Sequence, residues 1–348
     1  MSSQVQPKFF SIILPIYNPT RLKAVLDSIQ SQPNLEDIEV AIINDAGSLD
    51  YKELLKDYTF DIVVIDNEEN IGQGLARQVG IDNTTGKWIT FIDHDDEFNP
   101  SCFDKVKKYI IETDCRFVYS TKSLVANNKN FVQNQEFLVE DSGSVLHGHF
   151  YNRKMLEKYD IRFNPRIRAH EDTYFLTTVQ NYIVMDKENY IPGKTEVYEE
   201  LVTYYWYLWE DSQTHKDYNG TGYLEKTVGD YVIAIWDSYE KVHKDYPNTL
   251  DFTLYTLCGA LLILYWYEQS FKYLRPFDYL DNNSHIKWFV EKVMNELNLS
   301  TIQELTLLLL DLPDLYMHSF KSILANVDGS FIPRETLEQF YINIMEEN

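Results

Sequence analysis

Cysteine is scarce in this 348-residue chain: Cys102, Cys115 and Cys258 are an odd set with no CxxC spacing. That fits a reducing compartment better than a disulfide framework, and a cytoplasmic location is expected. Positive charge is also short. Thirty-one Lys and Arg stand against 54 Asp and Glu, a formal net charge of −23. This balance weighs against a strongly held polyanion such as duplex DNA, or an anionic membrane face; a local basic groove would escape that argument. Long apolar runs are missing. The longest, about Leu254–Tyr267, is short for a membrane span and reads as a buried core helix. The run Phe9–Ile16 contains Pro15 and has neither a basic lead-in nor a small-residue cleavage site, so it is not read as a signal peptide. The full dinucleotide fingerprint is absent too. Gly72 and Gly74 do not follow the first strand, and the third glycine is lacking. A tight turn that aims Arg77 at a site is the preferred interpretation, with a plain surface helix position as the alternative.

What is present is a full core, with 44% hydrophobic residues in a length that suits one large domain or two ordinary ones. Phe9 to Ile16, Ile38 to Ile43 and Asp61 to Ile65 read as strands, the first nearly continuous in apolar residues. Leu22, Val25, Leu26 and Ile29 keep helical spacing, as do Leu75, Val79 and Ile81. This strand–helix alternation predicts an α/β fold with a mainly parallel central sheet. Ligands of such sheets bind beyond the carboxyl ends of the strands, where Tyr17, Asp45 and Asp93 fall.

The stretch Lys87 to Pro100 organises the rest. Trp88 to Ile92 reads as a buried strand, and Asn99-Pro100 as the cap and first position of a helix. Asp93, Asp95 and Asp96 at the strand's end repel one another and call for compensation. A hard divalent cation with oxygen ligands is the obvious source. His147 and His149, two apart, are expected to be strand residues near a pocket rather than metal ligands. Glu171-Asp172 stands at a helix start, where capping alone would also favour carboxylates. Tyr204 to Trp209 is an aromatic strand. After about Gly222 the texture becomes helical, with Pro313 and Pro333 near breaks.

Five ordered pieces resemble the family 2 glycosyltransferases, which have the GT-A fold. They are Leu14-Pro15-Ile16-Tyr17-Asn18, Asn44-Asp45-Ala46-Gly47-Ser48, Asn70-Ile71-Gly72 with Ala76-Arg77, Gly86-Lys87 with Phe91 to Asp96, and His170-Glu171-Asp172. Tyr205-Trp206-Tyr207 with Ser212 fits more weakly. Asn44 and Gln78 depart from residues common in the family. The resemblance covers about residues 9–215. It implies a GT-A domain over 1–222. The helical region over 223–348 lies outside the resemblance, and its abundant apolar and aromatic faces predict that it packs on the catalytic domain and helps shape the acceptor side or an oligomer contact. The resemblance also implies an inverting, metal-dependent transfer from a nucleotide-sugar, a UDP-sugar first, to a hydroxyl of a glycan or glycoconjugate. Pro15, Tyr17, Asn18, Asp45, Arg77 and Asp93 would serve the donor. Asp93 and Asp95 would hold Mn²⁺ or Mg²⁺, with His215 as a further ligand. Asp172 would be the base, with Glu171 beside it. Three alternatives stand at this point: a nucleotidyltransferase, transfer to a modified nucleic-acid base, and a non-catalytic binding or scaffold protein. The first would need a basic glycine-rich loop after the first strand, and Tyr17-Asn18-Pro19-Thr20 is not one.

Overall fold

The computed structural model describes residues 7–48, 50–127, 137–139, 146–186, 190–208, 223–247, 254–271, 283–310 and 334–346. The chain divides into two compact units, Met1–Asn219 and Gly220–Asn348.

The first unit is built on one twisted sheet. Strands β1 (Phe10–Ile16), β2 (Ile38–Asn44), β3 (Asp61–Asp66) and β4 (Trp88–Phe91) run parallel in the order β3-β2-β1-β4. β1, β2 and β4 are buried along their whole length, which is why they read as unbroken apolar runs. Helices α1 (Leu22–Gln30), α2 (Lys52–Leu55) and α3 (Gln73–Asp82) make the connections, and α1 buries Leu22, Val25, Leu26 and Ile29. Pro15 is tolerated inside β1 for a local reason. Ile13 accepts a hydrogen bond from Ile92 N, so odd-numbered residues of β1 face β4, and by Pro15 the paired part of β4 has ended.

Beyond β4 the sheet becomes mixed. Five strands follow in chain order: β5 (Glu97–Phe98), β6 (Val118–Asn127), β7 (Phe137–Val139), β8 (His149–Asn152) and β9 (Glu196–Leu208). β8 pairs antiparallel with β4 and β6, β9 runs parallel to β6, and β5 closes the far edge against β9. The remaining helices of this unit are α4 (Cys102–Thr113), α5 (Arg153–Lys158) and α6 (Glu171–Met185).

The expected cap at Asn99-Pro100 is not where helix α4 begins. Asn99 N donates to Thr203 O and its side chain to Val202 O, which draws residues 97–99 into the sheet beside β9. The helix starts at Cys102. Gln32 Oε1, reaching over from the end of α1, accepts from Cys102 N and Phe103 N in place of a local cap.

A buried carboxylate and a half-buried guanidinium fasten the amino end of the sheet. Glu39 Oε1 accepts from Ser11 Oγ, Thr85 N and Gly86 N. Arg153 donates to Gly86 O, Ile81 O, Thr84 Oγ1 and Ser11 Oγ, binding the C-terminal end of α3 to β1. With its far end tied down, α3 presents its N-terminus to the carboxyl ends of the strands at a set height.

The second unit is helical: α7 (Tyr223–Asp245), a π-turn at Leu254–Cys258 leading into α8 (Gly259–Phe271), α9 (Asn283–Glu296), α10 (Ile302–Leu310) and α11 (Arg334–Glu346). Its core gathers Val232, Trp236, Leu257, Leu261, Phe289, Val293, Leu305 and Leu337. Tyr341, fully buried, donates to Leu261 O at 2.7 Å. A capping box opens α10, with Glu304 Oε2 accepting from Thr301 N and Thr301 Oγ1 accepting from Glu304 N. Among the described residues no helix is long and apolar enough to cross a membrane, and within the 254–267 run Leu257, Cys258, Ala260, Leu261, Leu264 and Tyr265 are buried. The regions of Pro313 and Pro333 lie outside the described residues.

Helix α3 rests on the sheet through a glycine. A Cβ at Gly80 would lie 2.6 Å from Ile13 Cγ2 and 2.7 Å from Ile43 Cδ1. Gly80→Ala should gain up to about 1 kcal/mol of helix propensity and lose more to overpacking, which costs about 1–3 kcal/mol. A lowered urea midpoint at unchanged m-value is the expected result; a raised midpoint would contradict the contact.

Candidate active site

Tyr17, Asp45 and Asp93 follow the carboxyl ends of the adjacent strands β1, β2 and β4, and α3 points its first turn at the same place. Tyr17 is 55% exposed, an open aromatic face on the rim. Asn18 sits behind it in left-handed backbone (φ 46°), its Oδ1 accepting from Ser48 N at 2.8 Å. Pro15 is buried two residues earlier in the strand.

Asp45 is 4% exposed, and its carboxylate is already engaged. Oδ1 accepts from Asn67 Nδ2 and Ile71 N, and Oδ2 from Gly72 N. The residue therefore ties down the loop that leads into α3. Gly72 makes that turn at φ 90°, a conformation glycine adopts without a Cβ penalty. The two departures noted in the sequence have local explanations. Asn44 donates to Gly47 O and Asp66 Oδ1 while accepting from Gly47 N, and an aspartate could not donate. Gln78 donates to Asp82 and accepts from Phe163 N.

At the centre lies Arg77, its side chain 5% exposed. Nη2 donates to Asp93 Oδ1 at 2.9 Å and Nη1 to Glu171 Oε1 at 2.8 Å. Of the two positions the sequence left open for Arg77, the interior one is correct. Its Nε is buried without a hydrogen-bond partner among the described residues. Gln73 Nε2 also donates to Asp93 Oδ1, at 2.9 Å. Burial pushes the Asp93 carboxyl up, but the adjoining guanidinium outweighs it and holds the group below the usual range. Glu171, with less of its environment in its favour, is raised by burial despite Arg77.

The acidic turn divides. Asp93 and Asp95 remain half-buried, whereas Asp96 is 2% exposed and faces inward. Sequence reasoning grouped Asp96 with residues needing a cation. Instead Tyr204 Oη donates to its Oδ2 at 2.7 Å and Tyr207 N to its Oδ1 at 2.9 Å. Burial raises the Asp96 carboxyl well above its ordinary value, and burial likewise raises Asp95. Tyr204 Oη also accepts from Asp93 N. His149 is a strand residue, buried in β8, but His147 lies in the turn before that strand, its ring stacked on Tyr204 with centroids 4.5 Å apart at 13°.

Asp172 begins the second position of α6, half-buried, with Oδ1 accepting from its neighbour Thr173 N. Burial raises its carboxyl, with Arg77 opposing. Arg166, Arg168 and His170 closely precede it in the sequence, and cations beside a carboxylate would favour its ionised form. The net direction is the reverse, because desolvation dominates and Arg168 is turned away to Asn70 O. His215 lies outside the described residues. Among the described residues there is no group of three or more His, Cys, Asp or Glu placed to hold a metal ion. Asp93 and Asp95 are nonetheless an oxygen-only pair, and Asp93 Oδ2 carries no hydrogen bond among the described residues. That suits Mg²⁺-type binding, which commonly uses one or two carboxylates with substrate phosphates and water.

Sequence reasoning missed Gln73 and Tyr204. Gln73 was hidden between two glycines that drew attention to the turn. Tyr204 looked like core, and only its hydroxyl, the one polar atom able to meet a buried acid, could have flagged it.

Comparison with known proteins places this architecture. Solved structures of S. aureus TarS share it. TarS 1-349 in complex with UDP-GlcNAc superposes with a TM-score of 0.54 at 16% identity, covering 96% of this chain and 92% of that one. The catalytic-type unit therefore has the GT-A fold, with a helical region after it. Residues 11–169, a little under half of the chain, match the Glycosyl transferase family 2 model. An uncharacterized glycosyltransferase of Haemophilus influenzae is 33% identical over 123 residues, 35% of this chain and 41% of its own length. Glycosyltransferase GlyA of Streptococcus pneumoniae is 24% identical over 195 residues, 55% of this chain and 25% of its own. The match thus spans less than half of either curated relative.

Tyr204→Phe should leave Asp96 Oδ2 and Asp93 N without their shared partner. A loss of about 1–3 kcal/mol is expected in equilibrium unfolding. Wild-type stability would mean that the hydroxyl is dispensable.

Proposed function

We propose that this chain transfers a sugar from a nucleotide-sugar, with a UDP-sugar as the first candidate, to a hydroxyl of a glycan or glycoconjugate, inverting the anomeric centre. The observation that carries this is the meeting of Asp93, Arg77 and the Glu171-Asp172 helix start at the carboxyl ends of β1, β2 and β4 in a chain that matches the family 2 model. The neighbouring TarS structure in complex with UDP-GlcNAc supports the donor class. The acidic balance of the chain weighs against a nucleic-acid acceptor.

In this proposal Tyr17 offers its open ring to the base of the donor, and Asp45 fixes the loop that closes the base side. Asp172 accepts the proton of the acceptor hydroxyl. The acceptor oxygen bonds to the anomeric carbon as the bond from that carbon to the diphosphate oxygen breaks, releasing the nucleoside diphosphate. One base opposite one leaving group gives single displacement, hence inversion. Asp93 and Asp95 would hold Mn²⁺ or Mg²⁺, which supplies Lewis-acid stabilisation for the charge on the leaving diphosphate. A carboxylate made more basic by burial is a better proton acceptor while it stays ionised near neutral pH.

Asp172→Asn should lower the transfer rate by about 100- to 10,000-fold with nearly unchanged UDP affinity. Asn caps a helix about as well as Asp, so near-normal transfer would return Asp172 to a capping role. Because the folded Asp172 pKa lies above the ordinary value of about 3.9, wild-type activity should fall as pH drops through a midpoint above that value. Asp95→Asn should abolish Mn²⁺-dependent hydrolysis of the donor at an unchanged unfolding temperature. Full activity in that variant, or in wild type with excess chelator, would remove the metal from the scheme.

A further inference from the structure

Glu171 and Asp172 are adjacent carboxylates at one helix start, yet their surroundings differ. The Glu171 side chain is 10% exposed, and its Oε1 is engaged by Arg77 Nη1. Asp172 is half-buried, and the bond to Thr173 N is local to its own helix turn. The other fork of the same guanidinium holds Asp93 Oδ1, 2.9 Å away. A guanidinium is planar and rigid, so moving one of its two carboxylates moves the other. There is little slack in the assembly: a Cβ at Gly74 would stand 2.7 Å from Glu171 Cγ and 2.8 Å from its Cβ. α3 and the start of α6 are thus as close as backbone and side chain permit.

We propose that Arg77 and Glu171 are positioning residues: Glu171 holds the Arg77 fork, the fork sets the direction of the Asp93 carboxylate, and Asp172 alone serves as base. This rests on the donor-side role of Asp93 given above. Glu171 is withdrawn from the acceptor by its bond to Arg77. Its contribution reaches the reaction through the orientation of Asp93 Oδ2, the oxygen left over for the donor side. Lysine cannot replace Arg77, because one ammonium on a flexible stem does not span two carboxylates in fixed geometry.

The test is calorimetric binding of UDP with Mn²⁺, and transfer kinetics, on the full chain. Glu171→Gln keeps an acceptor oxygen but loses the charge. It should weaken UDP binding by about three- to tenfold, with kcat falling by less than about tenfold, well short of the loss of a general base. Arg77→Lys should weaken UDP binding by about tenfold or more. The double variant Arg77→Gln/Glu171→Gln should bind UDP no worse than Arg77→Gln alone, since residues acting through one contact are not additive. Should the Arg77 variants fail to fold, Glu171→Leu against Glu171→Gln carries the test, the leucine variant binding UDP more weakly. Glu171→Gln with wild-type UDP affinity and kcat reduced about 100-fold or more would make Glu171 the base and overturn the proposal. Additive losses in the double variant, or equal UDP binding by Glu171→Leu and Glu171→Gln, would overturn it as well. Wild-type protein that binds no UDP would instead overturn the donor-site reading, and this proposal with it.

Discussion

A single buried cation holds the candidate site together. Arg77 leaves water to stand between Asp93 and Glu171 and offsets the charge of both. Removing one partner of a buried charge network costs several times what an exposed pair is worth, because the remaining charge stays desolvated. The surrounding structure serves this arrangement. Glycine at position 74 lets α6 approach, glycine at position 80 lets α3 lie on the sheet, and Asp45 anchors the loop before α3. At the opposite end of α3, Arg153 and Glu39 bind the helix terminus and the turn before β4 to β1. The position of the Arg77 guanidinium is thus set from both ends of one ten-residue helix.

The second organising device is the way β5 and β9 come back to the acidic turn. β5 follows Asp96 directly and pairs with β9 through Phe98 and Tyr204. That pairing delivers the Tyr204 hydroxyl to Asp96 and Asp93 N together. A turn carrying three carboxylates is thereby split by geometry into an inward acid, satisfied by protein donors, and two outward ones. The aromatic strand is core on one side of the residue and site on the other, which is what a tyrosine, apolar in body and polar at its tip, is suited to provide.

Much of this was legible in the sequence, and the failures have physical reasons. The unbroken apolar runs of β1, β2 and β4 could hardly be anything but doubly covered strands. The loops carrying Tyr17, Asp45 and Asp93 do follow the carboxyl ends of three adjacent strands, as the sequence suggested. Local rules misled where a distant partner won. Asn99-Pro100 has the local signature of a helix start, but hydrogen bonds to Val202 and Thr203, about a hundred residues away, claim it for the sheet. The arginines before Asp172 are near it in sequence, yet Arg168 is spent on Asn70 and burial sets the direction of the Asp172 titration. The inward turn of Asp96 required knowing that Tyr204 lies beside it, which no spacing over 108 residues can reveal.

Charge balance bears on the proposed chemistry. Arg77 is one positive charge among Asp93, Glu171 and Asp172, with Asp95 and Asp96 close by. Of these acids only Asp93 is held below its ordinary range; burial drives the others upward. A nucleoside diphosphate arriving at the same cleft brings further negative charge. The chain's overall balance of −23 offers no general relief. Coulomb repulsion in so poorly solvated a place is far costlier than in water. The proposed reaction would therefore need positive charge to arrive with the donor, and a divalent ion held by Asp93 and Asp95 would supply it without another buried side chain.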